Sequence, residues 1–213
     1  MAATGGELVL DQAAGLSKAL AAEAARVARR QSEREEELEL VGRAQRYDPD
    51  ALGRIYEIYF PKIYQYAYLQ LSDAQLAEDL AGGVLLQVVE SIEKFHYRGT
   101  PFGAWVFRIA RNRIIDMHRR KKRRQHVDLH EGIPTDYGAP HHETERVLEH
   151  ERVRGALEHL TDDQRQVVLL KFAEGLDNQS IANVIGRSEG AVKSLQHRAL
   201  VTLRKALSEQ PIE

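Results

Sequence analysis

Residues 177–207 read DNQSIANVIGRSEGAVKSLQHRALVTLRKAL. Asp177 can cap a short helix carrying Ile181, Val184 and Ile185, Gly186 supplies a left-handed turn, and Ser188 caps a longer helix running to about Leu207. The product is helix, tight turn, helix. At 100° per residue, Val192, Leu195, Ala199 and Leu203 share one side of the second helix. Gly190, Ser194 and His197 lie opposite, with Lys193 and Arg198 on the flanks. Small residues near its start let such a helix approach a major groove, and its donors can reach base edges and phosphates. Read without its surroundings, the same pattern also describes a solvated helix of an ordinary bundle.

Upstream, Thr161 and Gln164 have capping-box spacing ahead of the apolar run Val167, Val168, Leu169, Leu170 and Phe172, and Glu145 to Leu160 reads as a further helix. Between Lys121 and Thr144, Gly132, Pro134, Gly138 and Pro140 interrupt a stretch with almost no apolar periodicity. This marks a flexible linker between two domains. From Gln125 to Asp163 ten acids face three arginines, a net −7.

Ahead of the linker the charge reverses. Arg108 to Arg124 holds nine basic residues and one acid, Asp116, inside a chain of net charge −2, so the rest of the chain sums to −10. A basic block in an otherwise acidic protein points to a polyanion touched at one place, with nucleic acid first among the candidates. Thr100 with Pro101 signals the start of this helix, and Phe102, Trp105, Val106, Ile109 and Ile114 form its apolar stripe. Arg108, Asn112, Asp116 and Arg119 line up along another face.

Two more helices precede it. Asp48 with Pro49 opens one bearing Leu52, Ile55, Tyr56, Tyr59 and Ile63. Ser72 with Gln75 opens another bearing Leu76, Leu80, Val84, Val88 and Ile92. Residues 1–32 are alanine-rich and compatible with a helix of weak docking power. The acidic run from Glu33 to Glu39 reads as a solvated helix start, or alternatively as an arm over the basic block. No strand candidate occurs, so the fold class is all-α.

The chain has no cysteine, which excludes disulfides, thiolate metal sites and cysteine nucleophiles. No apolar stretch reaches the length of a membrane span, and the first residues lack a signal-peptide layout, so a cytoplasmic protein is expected. His141 and His142 invite a metal reading, but no helical His-x3-His occurs, and neither metal nor cofactor is expected. Without a phosphate loop, paired catalytic carboxylates or a nucleophile elbow, the chain is not expected to be an enzyme.

From Glu36 to Leu207 the sequence resembles the extracytoplasmic-function group of bacterial RNA polymerase sigma factors. The first half carries the likeness in Glu36 to Gln45, Ala51, Leu52, Ile55, Tyr56, Tyr59, Ala77-Glu78-Asp79-Leu80, Phe102, Trp105 and Ile109-Ala110-Arg111-Asn112, with Asp116 and Arg119-Arg120. The second carries it in Leu157, Leu160, Gln164, Ala182, Ser188, Gly190, Val192-Lys193-Ser194, Arg198-Ala199 and Leu203-Arg204. The resemblance implies an N-terminal extension (1–34), a region 2 domain (35–120), a linker (121–144), a region 4 helix-turn-helix domain (145–207) and a tail (208–213). The linker has the group's short form, without the helical domain that primary sigma factors carry there.

The resemblance implies that the first domain binds core RNA polymerase and opens the −10 element, with Tyr97, Arg98, Arg108, Arg111, Asn112, Arg119 and Arg120 on the DNA. His96 to Gly99 would be the base-capture loop, while Trp105 is assigned to the core. Glu78, Asp79, Gly82 and Gly83 fall where relatives meet the polymerase clamp, although the two glycines depart from the family's pattern. The second domain would read the −35 element through Ser188, Gly190, Lys193, Ser194, His197 and Arg198, the stretch Leu195-Gln196-His197 also being a departure. An anti-sigma partner is implied. The competing reading is a stand-alone helix-turn-helix regulator, which would leave the Asn112-bearing basic helix without a use.

Overall fold

A computed structural model describes residues 24–25, 28–29, 31–125 and 152–208, the side chains of 121–125 excepted. Among the described residues there are eight helices and no strand. In the first domain they are α1 (31–44), α2 (Pro49–Leu71), α3 (Ala74–Ser91) and α4 (Phe102–Gln125). In the second they are α5 (152–158), α6 (Asp162–Val168, prolonged by one π turn, Leu169–Ala173), α7 (Asn178–Ile185) and α8 (Glu189–Ser208). The expected linker falls largely in 126–151, outside the described residues, as does the His141–His142 pair.

The apolar stripes of the two domains join in one continuous core. Ile55, Ile63, Leu80, Val84, Val88, Ile92, Val106 and Ile114 are buried in the first, joined by Tyr66, Phe102 and Phe107, and Leu160, Val167, Leu170, Ile181, Val184, Ile185, Val192 and Ala199 in the second. Three residues expected on buried faces point outward instead: Tyr56 (51% exposed), Leu76 (41%) and Phe172 (62%). Tyr56 stacks on Phe60 at 5.0 Å along the outer side of α2. Phe172 lies in the π turn, which rotates the end of the apolar run off the helical period.

Several helix ends form as the sequence predicts. Asp48 accepts from the amides of Asp50 and Ala51 at 3.0 and 3.3 Å, and Thr161 and Gln164 form the reciprocal capping box. Asp177 accepts from Ser180 N at 2.7 Å, and Gly186 takes the left-handed conformation at φ 68° that only glycine adopts freely. Ser188 Oγ accepts from Ala191 N at 3.2 Å.

Two caps differ. Ser72 ends α2 in the left-handed region, and Asp73 caps α3 by accepting from Leu76 N at 2.9 Å. Asp73 sits one residue later than the expected capping box, and its carboxylate is the stronger acceptor for the first turn. At α4 the Thr100 hydroxyl does not cap its own helix. The Glu37 carboxylate, arriving from α1, accepts from the amides of Phe102 and Gly103 at 3.3 Å each and from the Tyr59 hydroxyl at 3.0 Å. Glu37 therefore leaves the solvated acidic run and becomes an N-terminal counter-charge for α4, where the helix dipole favours an anion.

The glycine pair in α3 has two different surroundings. A Cβ on Gly82 would meet nothing within 4 Å, whereas one on Gly83 would lie 2.0 Å from Nη1 of Arg113, whose guanidinium crosses α3 to Gln87. Gly82→Ala should therefore stabilise the first domain by about 1 kcal/mol, seen as a rise of about 2–4 °C in thermal unfolding. Gly83→Ala should gain less, because Arg113 must move aside. Glu37→Ala should cost about 1–3 kcal/mol, since it strips partners from two amides and a buried hydroxyl.

Candidate nucleic-acid interface

On α4 the apolar stripe faces inward, and Arg108, Asn112, Asp116, Arg119 and Arg120 emerge on the solvent side. Asp116 and Arg119 form a loose pair at 3.7 Å, an exposed contact of little energetic weight. Arg111 does not join this line. It is half-buried, turns toward the second domain, and donates through Nε to Oε1 of Gln166 at 2.6 Å, Gln166 being 4% exposed. A spacing of three from Arg108 puts Arg111 some 60° off the Arg108–Asn112–Asp116 line, enough to carry it into the domain seam.

Tyr97 and Arg98 occupy the loop between the 3-10 turn (Ile92–Lys94) and α4. The loop is fixed at its root by Phe95, whose ring packs against Phe102 at 5.1 Å and Trp105 at 5.5 Å. Trp105 thus sits at the core's edge, half-buried. Tyr97 is half-buried with the Arg34 guanidinium 4.2 Å from its ring centroid, Arg98 is exposed, and Gly99 takes φ 81°. Glu78, Asp79 and Gly82 lie on the exposed side of α3, and Gly83 is half-covered by Arg113.

In α8, Val192 and Ala199 are buried and Leu195 and Leu203 pack against the core. Ser188, Gly190, Lys193, Ser194, His197 and Arg198 are all exposed on one surface. Lys193 pairs with Glu189 at 2.8 Å, and Arg198 Nε donates to the Ser194 carbonyl at 3.3 Å. Both are local contacts, easily exchanged for phosphates. Gly190 has open space around it, so nothing inside the protein requires a glycine there.

The buried apolar residues of the two domains form one continuous cluster, with α7 packed on α4, and polar contacts add to it. Asn183 Nδ2 of α7 donates to Thr100 Oγ1 at 3.0 Å, Arg154 of α5 donates to the Tyr68 hydroxyl at 3.2 Å, and Arg111 meets Gln166. A cleft of about 270 Å³ runs between Gln70, Arg111, His118, Asp163 and Gln166. The Tyr66 hydroxyl, the Gln70 amide nitrogen and Glu174 Oε2 are buried without a hydrogen-bond partner. Each such group costs about 1–3 kcal/mol, which offsets part of what the packing contributes.

Glu37, Gln45, Gln166 and Glu174 were not singled out by sequence. Gln166, a lone amide entering the run Val167–Leu170, carried the one usable signal; the others act through contacts 22 or more residues away.

Residues 55–124 match the family model of sigma-70 region 2, and residues 150–203 match that of sigma-70 region 4. The ECF RNA polymerase sigma factor SigX of Bacillus subtilis is 32% identical over 161 residues, covering 71% of this chain and 80% of SigX. The chain belongs to the ECF sigma factors of RNA polymerase. The corresponding factor BldN of Streptomyces coelicolor is 34% identical over 174 residues, covering 81% of this chain and about two thirds (66%) of BldN. Two solved structures share the fold: CnrH in complex with the cytosolic domain of CnrY (TM-score 0.64, 22% identity, covering 82% of this chain and 99% of that one), and RpoE of Bartonella quintana in complex with the anti-sigma factor NepR (0.63, 24%, covering 75% and 98%). Among the described residues of this sigma factor, no helix is long and apolar enough to cross a membrane.

Glu174 gives the seam a pH dependence. Burial, only partly offset by Lys62, pushes its carboxyl up to about 7, and it lies close enough to Tyr59 and Tyr66 of α2 to raise both phenols further. The protonated acid is the form the docked state prefers. Docking is therefore strongest below the ordinary carboxylate range and weakens as pH rises through about 7. Small-angle scattering between pH 5 and 8.5 should show an increasing radius of gyration, and Glu174→Gln should flatten that response.

Proposed function

We propose that this sigma factor binds core RNA polymerase in the cytoplasm, directs it to promoters with −35 and −10 elements, and opens the −10 element without itself being an enzyme. In this reading the first domain (35–120) opens DNA, the second (145–207) reads duplex, and 121–144 links them. The observation that carries the proposal is the pair of exposed faces on one chain. One is the Ser188–Arg198 surface of α8, the other the Arg108–Asn112–Arg119–Arg120 side of α4.

Each face suits its task. Lys193 and Arg198 would hold phosphates while Ser194 and His197 meet base edges; Ser188 and Gly190 leave the helix start low enough to enter the groove. Asn112 both donates and accepts, which fits the edge of an extruded base, and the neighbouring arginines, with Arg98 and the Tyr97 ring, would follow the displaced strand. Glu78, Asp79, Gly82 and Gly83 would meet the polymerase clamp. An anti-sigma partner, as NepR is for RpoE, would act on the same chain. A stand-alone regulator would use α8 and leave the α4 face idle; the match of both halves to sigma-70 regions speaks against it.

The docked arrangement also bears on how promoters are read. The centres of −35 and −10 elements lie about 85 Å apart on B-form DNA at 3.4 Å per base pair. Helix α7 packs against both α4 and α8, and one helix is about 10–12 Å across, so the two faces are on the order of 20–30 Å apart here. The domains must separate, and residues 126–151 can reach roughly 90 Å when extended.

Transcription of a genomic fragment library by core polymerase with and without the protein should give discrete new starts sharing an upstream −35/−10 pair. Asn112→Ala should lower open-complex formation at those starts, and His197→Ala should relax the −35 preference. Tight duplex binding with no new starts would favour the stand-alone regulator. Because the chain has no native cysteine, Thr100→Cys with Asn183→Cys can be joined by a short bis-maleimide; transcription should fall sharply on cross-linking and survive in the unlinked double variant.

A further inference from the structure

Helix α1 and Gln45, the residue that follows it, brace the loop that precedes α4. Gln45 Nε2 donates to the carbonyls of Ile92 and Phe95 at 3.0 and 2.7 Å, holding the loop's first residues. Glu37 accepts from Phe102 and Gly103, holding the start of α4 where the loop ends. Between these anchors the Arg34 guanidinium lies over the Tyr97 ring at 4.2 Å. Arg34 itself is exposed, and no described acid forms a salt bridge with it. Its contact is with the ring.

We propose that Arg34 is a positioning residue for strand capture: its guanidinium covers Tyr97 on one side and, with the core against which the half-buried ring packs, fixes it so that a base extruded from the −10 strand stacks on the part of the ring left exposed. This rests on the reading of residues 96–99 as the base-capture loop. An aromatic ring held by a planar cation does not lose rotamer freedom when the base arrives, so the stack forms at lower entropic cost. The guanidinium also places a positive charge beside the backbone of the captured nucleotide. Lysine would keep the charge but not the flat face that lies on the ring. Residue 34 lies outside the region 2 match, which starts at residue 55.

The test uses full-length protein assembled with core polymerase and a single-stranded oligonucleotide carrying the −10 non-template sequence of a mapped promoter, with 2-aminopurine at the captured position. Arg34→Ala should weaken oligonucleotide binding about two- to fivefold and reduce quenching of the probe, as expected for loss of an exposed cation–π contact. Core affinity and −35 duplex binding should not change. Arg34→Lys should recover less than half of the loss, and Arg34→Ala should add nothing in a Tyr97→Ala background. Full recovery by lysine, or an equal loss in the Tyr97→Ala background, would overturn the stacking role. If Tyr97→Ala weakens capture while Arg34→Ala does not, Arg34 alone is discarded. If Tyr97→Ala has no effect, the loop reading fails and the proposal falls with it.

Discussion

One carboxylate ties the first domain together. Glu37 gathers two amides from the start of α4 and the hydroxyl of Tyr59 from α2, so three helices meet at one anion. Burial and that anion both keep the Tyr59 phenol protonated, its pKa far above the ordinary value. The contact fixes where α4 begins and, with a rise of 1.5 Å and a turn of 100° per residue, which residues of the basic block point outward. Shift the start by one residue and Asn112 would rotate off the exposed face. The direction of the exposed Arg108–Asn112 line is thus tied to a residue 75 positions earlier in the chain than Asn112.

This explains what the sequence could and could not reveal. Helix-turn-helix geometry is local: a cap at Asp177, a glycine at 186 and a period of 3.6 decide it, and all are visible within thirty residues. The outward face of α8 was therefore legible residue by residue. The cap of α4 was not, because Thr100 and Pro101 satisfy the local signal while a distant carboxylate does the capping. Tyr56 and Leu76 fit the buried period yet face solvent, since periodicity reports a stripe's direction and not how far the neighbouring helix extends to cover it. Arg111 was assigned to the DNA face with its neighbours; only the docked second domain, with Gln166 waiting, draws it away.

The seam between the domains joins their apolar residues in one cluster and adds polar contacts to it. Those polar contacts are amide to hydroxyl, guanidinium to amide and guanidinium to phenol, worth about 0.5–1.5 kcal/mol each and up to about 3 where a charge takes part. The unpartnered Tyr66, Gln70 and Glu174 atoms subtract from that sum. A joint of this kind holds two domains in register while nothing competes for them, and yields to a partner offering larger surfaces. It also leaves the α8 face open while occupying Arg111, so the exposed faces of α4 and α8 are not equally available in the docked form.

The same accounting changes the meaning of the basic block. Its formal charge of +8 suggests a broad cationic surface, but the side chains divide by direction. Arg111 is committed to Gln166, and Arg113 crosses α3 through the space Gly83 leaves, to reach Gln87. Arg108, Arg119 and Arg120 remain on the solvent side with Asn112 among them. The glycine in α3, which looks from sequence like a weakness in that helix, is what allows one arginine of α4 to be withdrawn from the solvent side and used as a strut between helices. A narrow row of cations flanking one amide suits a single strand followed base by base better than a duplex held by its phosphates, because a strand's recognition depends on where each charge stands more than on how many there are.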